Sequence, residues 1–262
     1  MPTLCRRLSG HDLLWRGFYV ISKRDFAVLP PETDAAWQFL NDHKLLKGFV
    51  LIGGTALSLR IHHRISEDLD FCFNAPRLPR KRLGILIKEA EAAGLQFEAN
   101  DDPGAWKEFE SVEMDLNDYQ QDYLVNSSVK ITFFTSDSPL SKLLPTDLNN
   151  EVRIATLSEL FNSKAIVSSQ RSKSRDWFDL YHLIRFGDFD LNDYVAAFKT
   201  AGIPSHWETG LARITSGKLS PTDEGYEELM DDPPSISAIV DFFIEERNRY
   251  EVEQAEKKFG EE

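Results

Sequence analysis

Leu51-Ile52-Gly53-Gly54-Thr55-Ala56-Leu57, with Asp68-Leu69-Asp70-Phe71 beginning after a spacer of ten residues (twelve counted from Thr55), is the stretch whose reading decides the fold. The apolar run Phe49 to Ile52 reads as a buried strand, stopped by the Gly53-Gly54 turn. Thr55 to Ile61 reads as a short helix, with Leu57 and Ile61 four residues apart. Asp68 to Phe73 alternates polar and apolar residues, as a strand with Leu69, Phe71 and Phe73 in the core does. Residues two apart on a strand share a face, so Asp68 and Asp70 stand side by side opposite those apolar residues. Two adjacent carboxylates repel each other, and a hard cation such as Mg²⁺ or Mn²⁺ relieves that with substrate phosphates completing its shell. The Gly-Gly turn permits close backbone approach, and a helix starting at Thr55 aims N–H groups and its positive dipole end at an anion. Either feature alone is ordinarily a plain turn or solvated surface. In strand–turn–helix–strand order they describe a site for a nucleoside triphosphate.

Outward from this unit, Thr33 to Leu45 reads as a helix on Ala36, Phe39 and Leu40, and Leu83 to Gly94 as an amphipathic helix with a glycine stop. Phe109 to Leu116, Tyr119 to Leu124 and Ser128 to Phe134 read as further strands. Beyond about residue 155, Leu157–Ser169, Asp176–Phe186, Asp193–Ala201 and Ile236–Lys258 read as helices. The expected fold is α+β: a mixed sheet with flanking helices, followed by a helical region. The expected division is an N-terminal helical extension over 1–45, a catalytic core over 46–150 and a helical domain with an acidic last helix over 151–262.

The formal net charge of −13 argues against a polyanionic partner until its distribution is read. From Thr222 onward there are fourteen Asp/Glu against four Lys/Arg. Arg60 to Arg82 holds six Lys/Arg and three acids, and Lys164 to Arg175 holds four Lys/Arg and no acid. The body is therefore locally basic in two places. The charged first twenty residues exclude a signal peptide, and no apolar run is long enough to span a membrane. Two cysteines encode no disulfide framework. A cytoplasmic protein with no membrane partner is expected.

Leu51-Ile52-Gly53-Gly54-Thr55-Ala56-Leu57 and His63-Arg64-x-Ser66-x-Asp68-Leu69-Asp70-Phe71, together with Lys164-Ala165 and Arg175-Asp176-Trp177-Phe178-Asp179-Leu180-Tyr181, resemble the signature of the AbiEii/AbiGii toxin family over roughly residues 49–186. These are nucleotidyltransferase-like proteins, many of them toxins of bacterial toxin–antitoxin or phage-defence systems. The resemblance implies that Gly53, Gly54 and Thr55 hold the triphosphate, with Arg64, Ser66 and Arg175 also on the nucleotide. It implies that Asp68 and Asp70 bind the catalytic metal and that Lys164 neutralises phosphate. Asp176 and Asp179 would lie near the base, ribose or acceptor. It also implies an NTP substrate, tRNA or another RNA as acceptor, and a cognate antitoxin.

Read from the residues alone, Trp177, Leu180, Tyr181 and Ile184 form the apolar face of their helix. Asp176 and Asp179 then fall off that face, where favourable charge in a first helical turn competes with function. Arg175 has a carboxylate partner as its plain role, and Lys164 a solvated one. Enzymes of this kind usually carry a third carboxylate on a neighbouring strand. Val129 to Phe134 turns Lys130 and Thr132 outward and offers no acid: either Glu113 or Asp115 on the preceding strand substitutes or the base is missing, and Lys130 is instead a candidate for contact with phosphate. A small hydroxylated acceptor and a non-catalytic nucleotide-binding module are the alternatives. His62 and His63 are adjacent and cannot share one helix face, which argues against a zinc site.

Overall fold

The computed structural model describes residues 28–145, 148 and 150–260. Most of the expected N-terminal extension therefore lies outside the described residues. Helix α1 (Pro31–Leu40) starts with proline in its first turn and buries Ala36, Trp37 and Leu40. It ends short of the expected Leu45, and Lys44–Leu46 form a separate 3₁₀ turn. Strand β1 (Phe49–Ile52) is wholly buried. Helix α2 (Gly53–Ile61) begins at the first glycine rather than at Thr55, and His62 closes it in the left-handed conformation. Strand β2 (Leu69–Phe73), helix α3 (Arg80–Ala92) and strand β3 (Phe97–Ala99) follow.

The strand expected over Phe109–Leu116 does not form: residues 109–111 end helix α4 (Pro103–Ser111), and a turn leads from it to the 3₁₀ turn Leu116–Asp118. Asp102 accepts from the Gly104 N–H and Pro103 occupies the first turn, a helix start strong enough to override the alternating residues downstream. Strand β4 (Gln120–Val125), strand β5 (Val129–Thr135), the single turn α5 (Ser138–Ser141) and the short strand β6 (Arg153–Ile154) complete the first half. The six strands form one mixed sheet in the order β3-β4-β5-β2-β1-β6. β1 and β2 are antiparallel, β2 and β5 parallel, and β4 and β5 antiparallel. The last strand, β6, runs parallel to β1, so the sheet borrows an edge from beyond residue 150.

Phe49, Phe71 and Phe133 meet at the centre of one sheet face, with ring centroids 5.4–5.7 Å apart for the Phe71–Phe133 and Phe49–Phe133 pairs. Each is completely buried, a contribution of about 1.5–3 kcal/mol apiece. Trp37 of α1 stacks on Phe71, and Arg82 of α3 lies over the Phe49 and Phe73 rings.

The second half is helical: α6 (Leu157–Gln170), α7 (Ser174–Phe186), α8 (Leu191–Ala201), α9 (His206–Thr215) and α10 (Ile236–Gly260). A Thr156–Glu159 capping box starts α6, and an Asp190–Asp193 box starts α8. α6 packs against α7, α8 and α9, while α10 packs across the same three helices α7 to α9. α2 touches β1 and β2 on one side and α6 and α7 on the other, so it joins the sheet to the helices. Among the described residues, no helix is long and apolar enough to cross a membrane.

Candidate active site

The β1–α2–β2 unit places the turn and the carboxylates together by register. Ile52, the last residue of β1, stands opposite Asp70 on β2. Gly53 has φ +79°, and a Cβ there would lie 2.5 Å from Asp70 Oδ2. Gly54 is needed for a different reason: a Cβ there would lie 2.5 Å from Arg64 Nη2 and 3.0 Å from Ser66 Oγ. Among the described residues no side chain caps the start of α2, and uncapped first-turn N–H groups are what an anion can meet. The Thr55 hydroxyl is buried, 2.9 Å from Ser66 Oγ, and donates to the Asp68 carbonyl. Thr55 and Ser66 thus tie the loop before β2 to α2. What Thr55 offers a phosphate is its backbone N–H.

Asp68 lies just before β2 and Asp70 within it, both half-buried. Neither carboxylate accepts a hydrogen bond or ion pair from the described residues, while burial pushes both up. Asp70 reaches about 6, through burial first and then repulsion by Asp68. Cations oppose this from around the pair: Lys130 and Arg175 act on Asp68, and Lys130, Lys164 and Arg171 on Asp70. A desolvated, mutually repelling and unpartnered carboxylate pair is what a divalent cation relieves. Among the described residues no three His, Cys, Asp or Glu are grouped to hold a metal. A cation here would rest on two carboxylates and the phosphates of a substrate, as Mg²⁺ ordinarily does.

The sheet register also locates a third acid. Asp70 pairs with Thr132, and Thr132 with Asp122, so the three side chains share one face across β2, β5 and β4. Thr132 Oγ1 donates to Asp122 Oδ1 at 2.6 Å, and Gln120 Nε2 donates to Oδ2 at 2.6 Å. With neighbouring strands about 4.8 Å apart, the backbones of Asp122 and Asp70 lie roughly 10 Å apart with Thr132 between them. The two acids expected to substitute lie elsewhere. Glu113 occupies an exposed turn at φ +59°, not a strand, and Asp115 caps the 3₁₀ turn Leu116–Asp118 and pairs with Arg80 at 2.7 Å. Lys130 is exposed on β5.

Asp176 and Asp179 are buried, not on an open helix face. Lys164 Nζ lies 2.7 Å from Asp176 Oδ1 and 2.6 Å from Asp179 Oδ2. Asp179 Oδ1 accepts from His63 Nε2 at 2.7 Å and Arg64 Nε at 2.8 Å, and Oδ2 accepts from Arg64 Nη2 at 3.1 Å. Arg171 Nε donates to Asp176 Oδ2 at 2.8 Å. Burial alone would raise Asp179, yet Arg64 and Lys164 hold it well below the usual carboxylate range. Burial would likewise lower Lys164, and the two aspartates keep it raised and charged. His63, which the sequence presents only as one of two adjacent histidines, is therefore part of the network, with its ring stacked on Phe178.

Arg175 reaches out of α7 to the segment before the 3₁₀ turn Glu227–Leu229. Its Nε donates to the Gly225 carbonyl at 2.8 Å, and its Nη1 lies 3.3 Å from Glu224. Asp223 accepts from the Ser174 N–H at the start of α7. Of the expected nucleotide ligands, Arg64 and Ser66 are buried within the loop, whereas Lys130 and Arg175 border the carboxylate pair.

The site is thus a glycine turn beside paired carboxylates, on which the buried Lys164, the half-buried Arg175 and the exposed Lys130 and Arg171 act. Residues 37–251 match the family of the nucleotidyl transferase AbiEii toxin of type IV toxin–antitoxin systems, and the chain belongs to that family. An uncharacterized protein of Aquifex aeolicus (strain VF5) is 29% identical over 150 residues, 55% of this chain. The match spans 62% of that relative's length. Among solved structures, JHP933 from Helicobacter pylori is similar at 19% identity over 88% of this chain and 97% of its own, with a TM-score of 0.48. MenT4, the nucleotidyltransferase toxin Rv2826c of Mycobacterium tuberculosis H37Rv, is similar at 16% identity over 80% and 81%, with a TM-score of 0.49.

Proposed function

We propose that this chain is a cytoplasmic toxin that transfers a nucleoside monophosphate from an NTP to an acceptor hydroxyl, with RNA, tRNA foremost, as the acceptor and a cognate antitoxin as its protein partner. The observation that carries the reading is the Asp68–Asp70 pair: unpartnered among the described residues, raised by burial, and set against a glycine turn that opens α2. Asp68 and Asp70 would hold Mg²⁺ or Mn²⁺, which supplies neutralisation of the triphosphate and activation of the incoming hydroxyl.

The chain's own residues do the positioning. The N–H groups at the start of α2 bind phosphate oxygens, and Lys130 and Arg175 add charge beside Asp68. Lys164 and Arg171 add positive potential at Asp70. The acceptor oxygen forms its bond to the α-phosphorus as the bond to pyrophosphate breaks, and pyrophosphate leaves with the charge. The hydroxyl proton passes to a carboxylate; Asp122, hydrogen-bonded to Thr132 in the same strand row as Asp70, is the residue we assign to take it. Induced expression tests the reading. Growth arrest by wild type that disappears with an equally abundant, folded Asp70→Ala supports it. Equal arrest by both separates toxicity from this site.

A further inference from the structure

Asp179 has no capacity left for a substrate. An ionised carboxylate offers about four lone-pair positions. Here they are filled by His63 Nε2, Arg64 Nε, Arg64 Nη2 and Lys164 Nζ, and the residue is 0% exposed. A ribose or acceptor hydroxyl would have to displace one of these cations or the imidazole, and would need a path into a closed site.

What Asp179 holds is informative. Arg64 is gripped through two nitrogens, the planar fork that a lysine cannot reproduce. Its third nitrogen, Nη1, donates to the Ile65 carbonyl at 3.0 Å, so the guanidinium cannot swing. The Nη2 edge occupies the space a Cβ on Gly54 would take, 2.5 Å from that position. The guanidinium is therefore laid against the backbone of the first turn of α2, whose N–H groups face the phosphate position. Ser66 Oγ presses on the same point and is tied to Thr55. A line of direct contacts thus runs from α7 through Asp179 and Arg64 to Gly54.

Resting on the nucleotidyltransferase reading, we infer that Asp179 is a positioning residue: it touches neither nucleotide nor acceptor, and it shapes the triphosphate turn by pinning Arg64 beneath Gly54. Gly54 is a glycine because of Arg64, not because phosphate must approach there. The two separated sequence motifs are two halves of one clamp.

The test is binding of ATP, CTP, GTP and UTP, each with Mg²⁺, to the full chain by calorimetry, with steady-state transfer to RNA measured in parallel. For the NTP that wild type binds best, Asp179→Asn weakens binding by about tenfold or more while the KM for RNA stays unchanged. Gly54→Ala, which drives a methyl into the guanidinium, produces the same NTP-specific loss. The double variant loses much less than the product of the two, because both act through Arg64. Should Asp179→Asn fail to fold by circular dichroism, Gly54→Ala against Arg64→Ala carries the same cycle. Unchanged NTP affinity with a raised RNA KM in Asp179→Asn, or fully multiplicative losses, overturns the inference. A folded wild-type protein that binds none of the four NTPs overturns the nucleotidyltransferase reading itself, and the inference with it.

Discussion

A Cβ on Gly53 would lie 2.5 Å from Oδ2 of Asp70, so turn and carboxylate share a space that exists only because residue 53 has no side chain. The same glycine sits at φ +79°, a conformation that costs an L-residue with a side chain roughly 1–2 kcal/mol. Gly53→Ala is therefore expected to lower stability modestly and transfer activity steeply, by about a hundredfold, because it displaces the carboxylate we propose as a metal ligand. Thermal unfolding beside a label-transfer assay separates the two effects. Equal activity in a folded Gly53→Ala would show that Asp70 need not sit where it does.

Lys164 is the shared cation of two buried aspartates, and removing one partner of such a network leaves charge uncompensated. Lys164→Met should cost about 3–5 kcal/mol, read as a lower urea midpoint with little change in the slope. Adding Asp176→Asn should recover part of that loss. A Lys164→Met protein as stable as wild type would mean the network is not charged as described.

Histidines give the stability a pH dependence whose sign is fixed. Burial first, and then the nearby His63, lower His182 from 6.5 to about 4, and burial also lowers His63. The Nε2–H of His63 donates to Asp179, and its buried Nδ1 has no partner, so a second proton would arrive without an acceptor. His182 is protonated preferentially in the unfolded state between about pH 6.5 and 4. Its contribution is intact above 6.5 and is lost as pH falls through that window, and His63 acts in the same direction. Asp70, raised to about 6, acts in the opposite direction, so the comparison must cancel it. Wild type should lose stability relative to His182→Gln as pH is lowered from 7 to 4, measured by denaturant titration. A constant difference between the two would contradict this.

Asp122 shares its strand row with Asp70 through Thr132. If it takes the acceptor's proton, Asp122→Asn keeps both hydrogen-bonding neighbours and reduces kcat by about 10²–10⁴ with NTP affinity intact. A kcat within a few-fold of wild type would remove Asp122 from the chemistry.

The turn and the carboxylate pair were legible because each has a local signature: an apolar run ended by two glycines, then strict alternation at Asp68 to Phe73. α4 was not, because Phe109, Val112 and Met114 imitate a strand while the signal that decided it, Asp102-Pro103, lies ahead of them. The burial of Asp179 was out of reach for a different reason. Arg64, which makes burial tolerable, is 115 residues away in sequence, and charge compensation of that kind exists only in the folded chain. Asp122 is hidden likewise: its place depends on strand register across β5, which the alternating pattern alone cannot set.

The most direct measurement of the central claim is transfer of label from each α-labelled NTP to total RNA, in Mg²⁺ and in Mn²⁺, by wild type and by folded Asp70→Asn. The account predicts labelled RNA and released pyrophosphate with at least one NTP for wild type, and neither for Asp70→Asn. No labelling by wild type with any NTP under either metal, or equal labelling by both proteins, would contradict it.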